Sequence, residues 1–238
     1  MREIFYLLFI FLNFSLFLYI FWAAGPTIPG LKWPANFEEL RNLASELQKV
    51  RENHHFYILS LFSLIYIYKQ CFAIPGSFFM NLLAGAIFGF FEAIFLVPIL
   101  NTIGASLCFI LSRFFAKPII ERFLQERIGI LKKKISSNRH RLWIFLLSAR
   151  LFPFTPHWFL NISSPFLEIP LIFHITTIFL GCFPYNFVCV SSGTAISQID
   201  STSDVFSFDI LLKLIGFSLI FMGFAWFSRK KAGEIVEK

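Results

Sequence analysis

Arg150-Leu151-Phe152-Pro153-Phe154-Thr155-Pro156-His157-Trp158-Phe159-Leu160-Asn161 is the run that decides how this chain folds. It continues the apolar stretch that begins at Leu142 and reaches Ala149. An arginine at the centre of a spanning helix costs about 2.5–3.5 kcal/mol on insertion scales, so it faces a partner or water rather than acyl chain. Pro153 and Pro156 each lack a backbone donor and interrupt helical bonding. Carbonyls freed at membrane depth have to be met by protein or water. The segment from Arg150 to Asn161 therefore predicts irregular, hydrated backbone inside a bilayer. The competing reading is that the Arg150 side chain snorkels to the headgroups near residue 142.

A second stretch has the same character. Phe72-Ala73-Ile74-Pro75-Gly76-Ser77 leads through Phe78 and Phe79 to Asn81, Gly85, Gly89 and Glu92. Residues 71–91 are apolar overall, yet they open on Pro75 and Gly76 and carry further glycines, which suits a short helix that enters and turns back. Residues 92–112 follow as a span in which Gly104, Ala105 and Ser106 permit close helix contact. Glu92 is read either as a counter-charge for Arg150 or as a marker of headgroup level. If 72–90 is re-entrant, it and 142–166 enter from opposite faces, as an inverted repeat would; a full crossing at 72–90 is the alternative, and the sequence leaves both open.

Working outward, composition excludes most other classes. The chain has 238 residues, 57% hydrophobic and 15% charged, with a mean hydropathy of +0.70 and a net charge of +7. Soluble domains are about 45–50% apolar and about 25% charged. A water-soluble enzyme, a nucleic-acid-binding domain and a disordered tail are all excluded, and an all-α, polytopic membrane protein is expected. Residues 4–24 predict a span. A cleaved signal peptide competes, since Ala23-Ala24-Gly25 offers small residues, but the apolar stretch exceeds the usual 7–15 or so and a retained anchor is preferred. Residues 25–35 read as a Pro/Gly loop and 36–53 as an amphipathic helix (Phe37, Leu40, Leu43, Leu47 and Val50) with an Asn36/Glu39 N-cap pair. Residues 56–68 read as a short membrane segment.

Between 113 and 141 nine Lys and Arg stand against two Glu, and Ile120, Leu124, Ile128, Leu131 and Ile135 form an apolar stripe. An interfacial helix is predicted, its charge serving either topology or lipid binding. Residues 169–196, broken at Pro184, and 205–227 complete the spans. Positive charge assigns 113–141 and the C-terminus to the cytosolic face and the Asp-bearing 197–204 loop to the lumen. The organisation expected is an N-terminal part at 1–70, a membrane domain at 71–231 and a cytosolic tail at 232–238. Cys71, Cys108, Cys182 and Cys189 show no metal-ligand spacing and read as buried free thiols. Glu168 reads as a turn residue and His157 as structural, while Asn161-Ile162-Ser163 matches a glycosylation pattern in a setting too apolar for it.

The two broken blocks, with Gly104-Ala105-Ser106, Arg113, Ser164-Pro165 and Pro170-Leu171, resemble the transmembrane protein 41 family of the DedA superfamily, also called VTT or SNARE-associated Golgi proteins. The resemblance covers about 72–231. It implies an endoplasmic-reticulum protein with two opposed re-entrant helices, acting as an ATP-independent phospholipid scramblase in autophagosome growth and lipid mobilisation. The chain departs from the pattern at Glu92, which has no counterpart there, and at Gly181-Cys182-Phe183-Pro184-Tyr185-Asn186, with one proline where relatives often carry two.

The reading of the residues agrees with that expectation. Arg150, Pro153, Pro156, Asn161, Pro75, Gly76 and Glu92 are the candidate lipid path. Phospholipids and the membrane are the expected partners, with lipid-transfer or autophagy proteins beside them and no nucleic acid. No nucleophile–base pair, metal spacing or phosphate-cradling loop is present, so neither enzyme chemistry nor a cofactor is expected. An ion-coupled transporter of a small anion or lipid precursor, and a membrane scaffold, are the alternatives.

Overall fold

The structure, a computed structural model of the chain, describes residues 2–28, 34, 36–123, 125–137, 141–151 and 155–198. Expectations that fall on other residues, among them Pro153, Leu124, the 205–227 span and the tail, lie outside the described part. Among the described residues every regular element is helical. Three stretches are long and apolar enough to cross a membrane: Arg2–Ala23, Ser77–Phe115 and Leu171–Ser197.

Helix α1 (Arg2–Ala23) has 22 residues and no buried side chain. At 1.5 Å per residue it reaches about 33 Å, enough for the hydrocarbon core. It rests on its neighbour through Phe11 and Phe14 against Tyr68 and Phe72, and through a 2.7 Å bond between Ser15 Oγ and Tyr68 OH.

Helix α2 (Phe37–Cys71) begins as expected, with Asn36 Oδ1 accepting from Glu39 N at 2.8 Å. The two segments read separately from the sequence form one element bent at His54 (φ −134°, ψ 49°), where the polar run Arg51-Glu52-Asn53-His54-His55 meets apolar chain. Leu40, Leu43 and Leu47 are buried, so the amphipathic face packs on protein. The helix ends in a Schellman motif: Ile74 N donates to Lys69 O at 2.8 Å and Ala73 N to Gln70 O at 3.3 Å, with Ala73 left-handed at φ 54°. Pro75 prevents continuation, and Gly76 at φ 119° starts the next helix in a conformation side chains disfavour.

Helix α3 (Ser77–Phe115) is broken at Gly89 (φ 76°, ψ 172°). Such a break strands the last carbonyls of the first half. Helix α2 supplies their partners: Gln48 Nε2 donates to Ala86 O at 2.6 Å and Arg51 Nη1 to Ile87 O at 2.9 Å. Arg51 Nη2 also bridges the break to Glu92 Oε2 at 2.5 Å, in the first turn of the second half. A cation thus sits at one helix C-terminus and an anion at the next N-terminus, as the peptide dipoles favour.

Helices α4 (Lys117–Phe123) and α5 (Gln125–Ser137) lie where one interfacial helix was expected. Ile120, Ile128 and Ile135 are buried against Leu142 and Leu146 of α6 (Leu142–Leu151) and against Phe159 and Leu167, so the stripe faces the bundle. Helix α7 (His157–Ser163) runs into a 3₁₀ turn at Ser164–Leu167. Helices α8 (Leu171–Gly181) and α9 (Phe183–Gln198) are separated at Cys182. The break precedes Pro184, which sits in the first turn of α9, where its missing N–H has no intrahelical partner to lose.

Helix α9 lies against the first half of α3 at backbone distance. A Cβ on Gly85 would strike the Val190 carbonyl, and one on Gly193 the Leu82 carbonyl. Thr194 Oγ1 bonds Gly85 O at 3.1 Å across the seam. Gly193→Val forces the helices apart and is expected to cost about 1–3 kcal/mol, read as a lowered Tm of the purified protein in detergent.

Candidate functional site

Arg150 lies in the last turn of α6 and is 3% exposed. Its guanidinium fork reaches three neutral acceptors on two helices, α7 and α8. Nε donates to Thr177 Oγ1 and Nη1 to Asn161 Oδ1, both at 3.2 Å, and Nη2 meets His174 Nδ1 at 3.2 Å. His174 Nε2 lies 3.3 Å from Ala105 O. One neutral tautomer serves both contacts, with Nδ1 accepting from arginine and Nε2–H donating to the carbonyl. Among the described residues no carboxylate pairs with Arg150.

Helix α8 is built to present this cluster. His174, Thr177 and Gly181 recur at helical spacing on its buried face. Gly181 permits the approach of α6, since a Cβ there would stand 2.7 Å from Arg150 Cβ.

Beside Arg150 runs a second polar chain. Tyr66 OH donates to Asn81 Oδ1 at 2.8 Å, and Asn81 Nδ2 to Asn186 Oδ1 at 3.0 Å. Arg150 and Asn161 of the first set and Tyr66 and Asn186 of the second line a cavity of about 40 Å³. That is room for between one and about three waters. Gln70 and Ser77, which flank the 72–76 turn, line it together with Arg150 and His157, which flank residues 151–156. Residues that flank the breaks in both segments therefore meet at one polar cavity. A larger space of about 220 Å³ between α2 and α3, walled by Leu43, Leu47, Leu61, Phe62, Leu83 and Ile87, is apolar throughout.

The candidate residues divide accordingly. Arg150 and Asn161 are bonded to each other in the cluster. Pro156 precedes α7, and its carbonyl accepts from Phe159 N and Leu160 N at 3.0 and 3.3 Å. Pro75 and Gly76 form the turn that delivers Ser77 to the cavity wall. Glu92 stands apart from Arg150: its partners are Arg51 and, at 3.6 Å, His55. The sequence-based candidate site did not include Tyr66, Lys69, Asn81, Asn101, His174, Thr177 or Asn186. The available signal was an isolated polar residue, repeated on one face of an apolar run.

A sequence model of the VTT domain matches residues 74–195, a stretch that begins in the 72–76 turn and contains Arg150, Asn161, His174, Thr177 and Asn186. The chain belongs to the VTT-domain family. The resemblance drawn from the two broken blocks holds along most of the chain. A transmembrane protein 41 homolog of Caenorhabditis elegans is 30% identical over 90% of this chain and 89% of its own length. Transmembrane protein 41B of Danio rerio is 34% identical over 77% of this chain and 65% of its own, and that of Homo sapiens 31% identical over 84% and 69%. No solved structure matches the chain. The VTT region by itself omits Tyr66, Lys69 and Gln70, so α2, which precedes the matched residues, contributes to the same polar site.

His174→Leu in the VTT region leaves a buried arginine N–H without its acceptor and removes the side-chain bond to the Ala105 carbonyl. A loss of about 1–3 kcal/mol is expected, measured by thermal unfolding in detergent.

Proposed function

We propose that this protein is an ATP-independent phospholipid scramblase of the endoplasmic-reticulum membrane, serving autophagosome formation and lipid mobilisation. The observation that carries the reading is the polar cavity at which two broken helical segments meet, walled by a buried arginine whose described partners are all neutral. Flipping a phospholipid means carrying its headgroup through about 30 Å of hydrocarbon. A wet polar seam between two re-entrant hairpins lowers that barrier while the tails stay in lipid. Arg150 attracts the phosphate, for which a guanidinium has matched geometry. The sequence has no phosphate-cradling nucleotide loop, so movement runs down the lipid's own gradient. Phospholipids are then the substrate, and lipid-transfer and autophagy proteins the partners that a leaflet-equilibrating activity would supply. The ion-coupled alternative gains nothing from Glu92, which pairs with Arg51 rather than Arg150.

The test is the purified protein in liposomes carrying a fluorescent phospholipid, with an impermeant quencher outside. Quenching is expected to pass well beyond half of the signal. Arg150→Gln slows the exchange on the order of tenfold or more, and Arg150→Lys restores little of it, because an ammonium cannot reproduce the fork. Quenching that halts near half with well-folded protein overturns the reading.

A further inference from the structure

Lys69 has no role in the cluster just described, yet it is buried, at 4% exposure, beside the same cavity. Its ammonium donates to Ser77 Oγ and, at 3.1 Å, to Gln70 Oε1, and lies 5.0 Å from the centre of the Tyr66 ring. All three of those residues line the cavity. Lys69 therefore stands directly behind residues of the cavity wall, and Arg150 lines the same cavity. Among the described residues neither cation has a carboxylate partner. An ammonium removed from water without a counter-charge is costly, and two facing one cavity are costlier.

The walls also lack an acceptor for a free donor. Asn186 is 1% exposed and lines the cavity, and its Nδ2 has no hydrogen-bond partner. A bound cation would be repelled from both sides. Water alone would meet Asn186 but leave both charges uncompensated. A group with several anionic oxygens satisfies all three at once.

We propose that this cavity is an oxyanion site that takes a phosphate group between Arg150 and Lys69, with Lys69 acting through Ser77 and Gln70 and Asn186 Nδ2 supplying a further donor. The phosphate comes from a lipid headgroup or from free phosphate. Only the lipid source rests on the scramblase reading.

The experiment measures thermal stabilisation of the full chain in detergent by short-chain phosphatidic acid, by diacylglycerol with the same chains, and by inorganic phosphate. Phosphatidic acid is expected to raise Tm in a saturable way and diacylglycerol to leave it unchanged. Lys69→Gln and Arg150→Gln should each weaken the apparent affinity on the order of tenfold, while Lys69→Arg retains most of it. Should Lys69→Gln fail to fold, Ser77→Ala, which removes the hydroxyl linking Lys69 to the cavity, replaces it with the same expectation. Stabilisation by inorganic phosphate as well marks free phosphate as a ligand, and stabilisation by phosphatidic acid alone marks the headgroup; both uphold the site. Stabilisation by diacylglycerol equal to that by phosphatidic acid, or undiminished affinity when Lys69 is neutralised, overturns it. Liposome exchange is scored separately. Binding without exchange overturns the scramblase reading and keeps the site, and exchange without binding does the reverse.

Discussion

A guanidinium sealed inside a helical bundle, with no carboxylate partner among the described residues, sets the terms for everything around it. Arg150 has five N–H donors in a rigid fork, and each one left unmet in the interior is expensive. Its partners come from different parts of the chain: Asn161 from α7, Thr177 and His174 from α8, and through His174 the Ala105 carbonyl of α3. Satisfying one side chain thus draws α3, α6, α7 and α8 to a common point. Gly181 belongs to the same constraint, because α8 must come close enough for Thr177 and His174 to reach the fork. Since the partners are neutral, the positive charge is coordinated without being cancelled, and the adjacent cavity inherits its field.

The breaks in the helices obey a similar accounting of backbone groups. The end of α2 satisfies its own carbonyls through the Schellman bonds at Lys69 and Gln70. The break at Gly89 is served from outside, by Gln48 and Arg51. The Schellman bonds hold the 72–76 turn, so Gln70 and Ser77, which flank it, keep their places at the cavity that Arg150 and His157 also line. A polar site of a few water volumes needs such support, since a shift of an ångström would close it or flood it.

Several features were readable before any coordinates. Arg150 stood out because a charge in an apolar run demands a destination, and Asn161 because it follows at the end of the same broken segment. The Asn36 cap, the stop at Pro75–Gly76 and the buried thiols rest on local chemistry, and the structure has them as expected. Glu92 illustrates the limit. Its sequence neighbourhood marks it as a membrane-level acid but carries nothing about Arg51, which lies 41 residues earlier in the chain. Lys69 directly follows the apolar segment 56–68, and only the fold of 72–76 turns its ammonium toward Ser77. His174 and Asn186 were single polar positions in apolar runs, indistinguishable there from tolerated substitutions.

By itself the sequence determined the class of molecule, the places where helices must stop and the presence of one charge that could not face lipid. These follow from composition, from proline and glycine geometry and from desolvation, all of which act within a few residues. Which neighbours meet that charge, and that residues flanking two distant helix breaks share one cavity with a second cation behind its wall, was decided by tertiary structure alone. Hydrogen bonds between residues such as Asn81 and Asn186, 105 positions apart, leave no periodic trace in the chain that makes them.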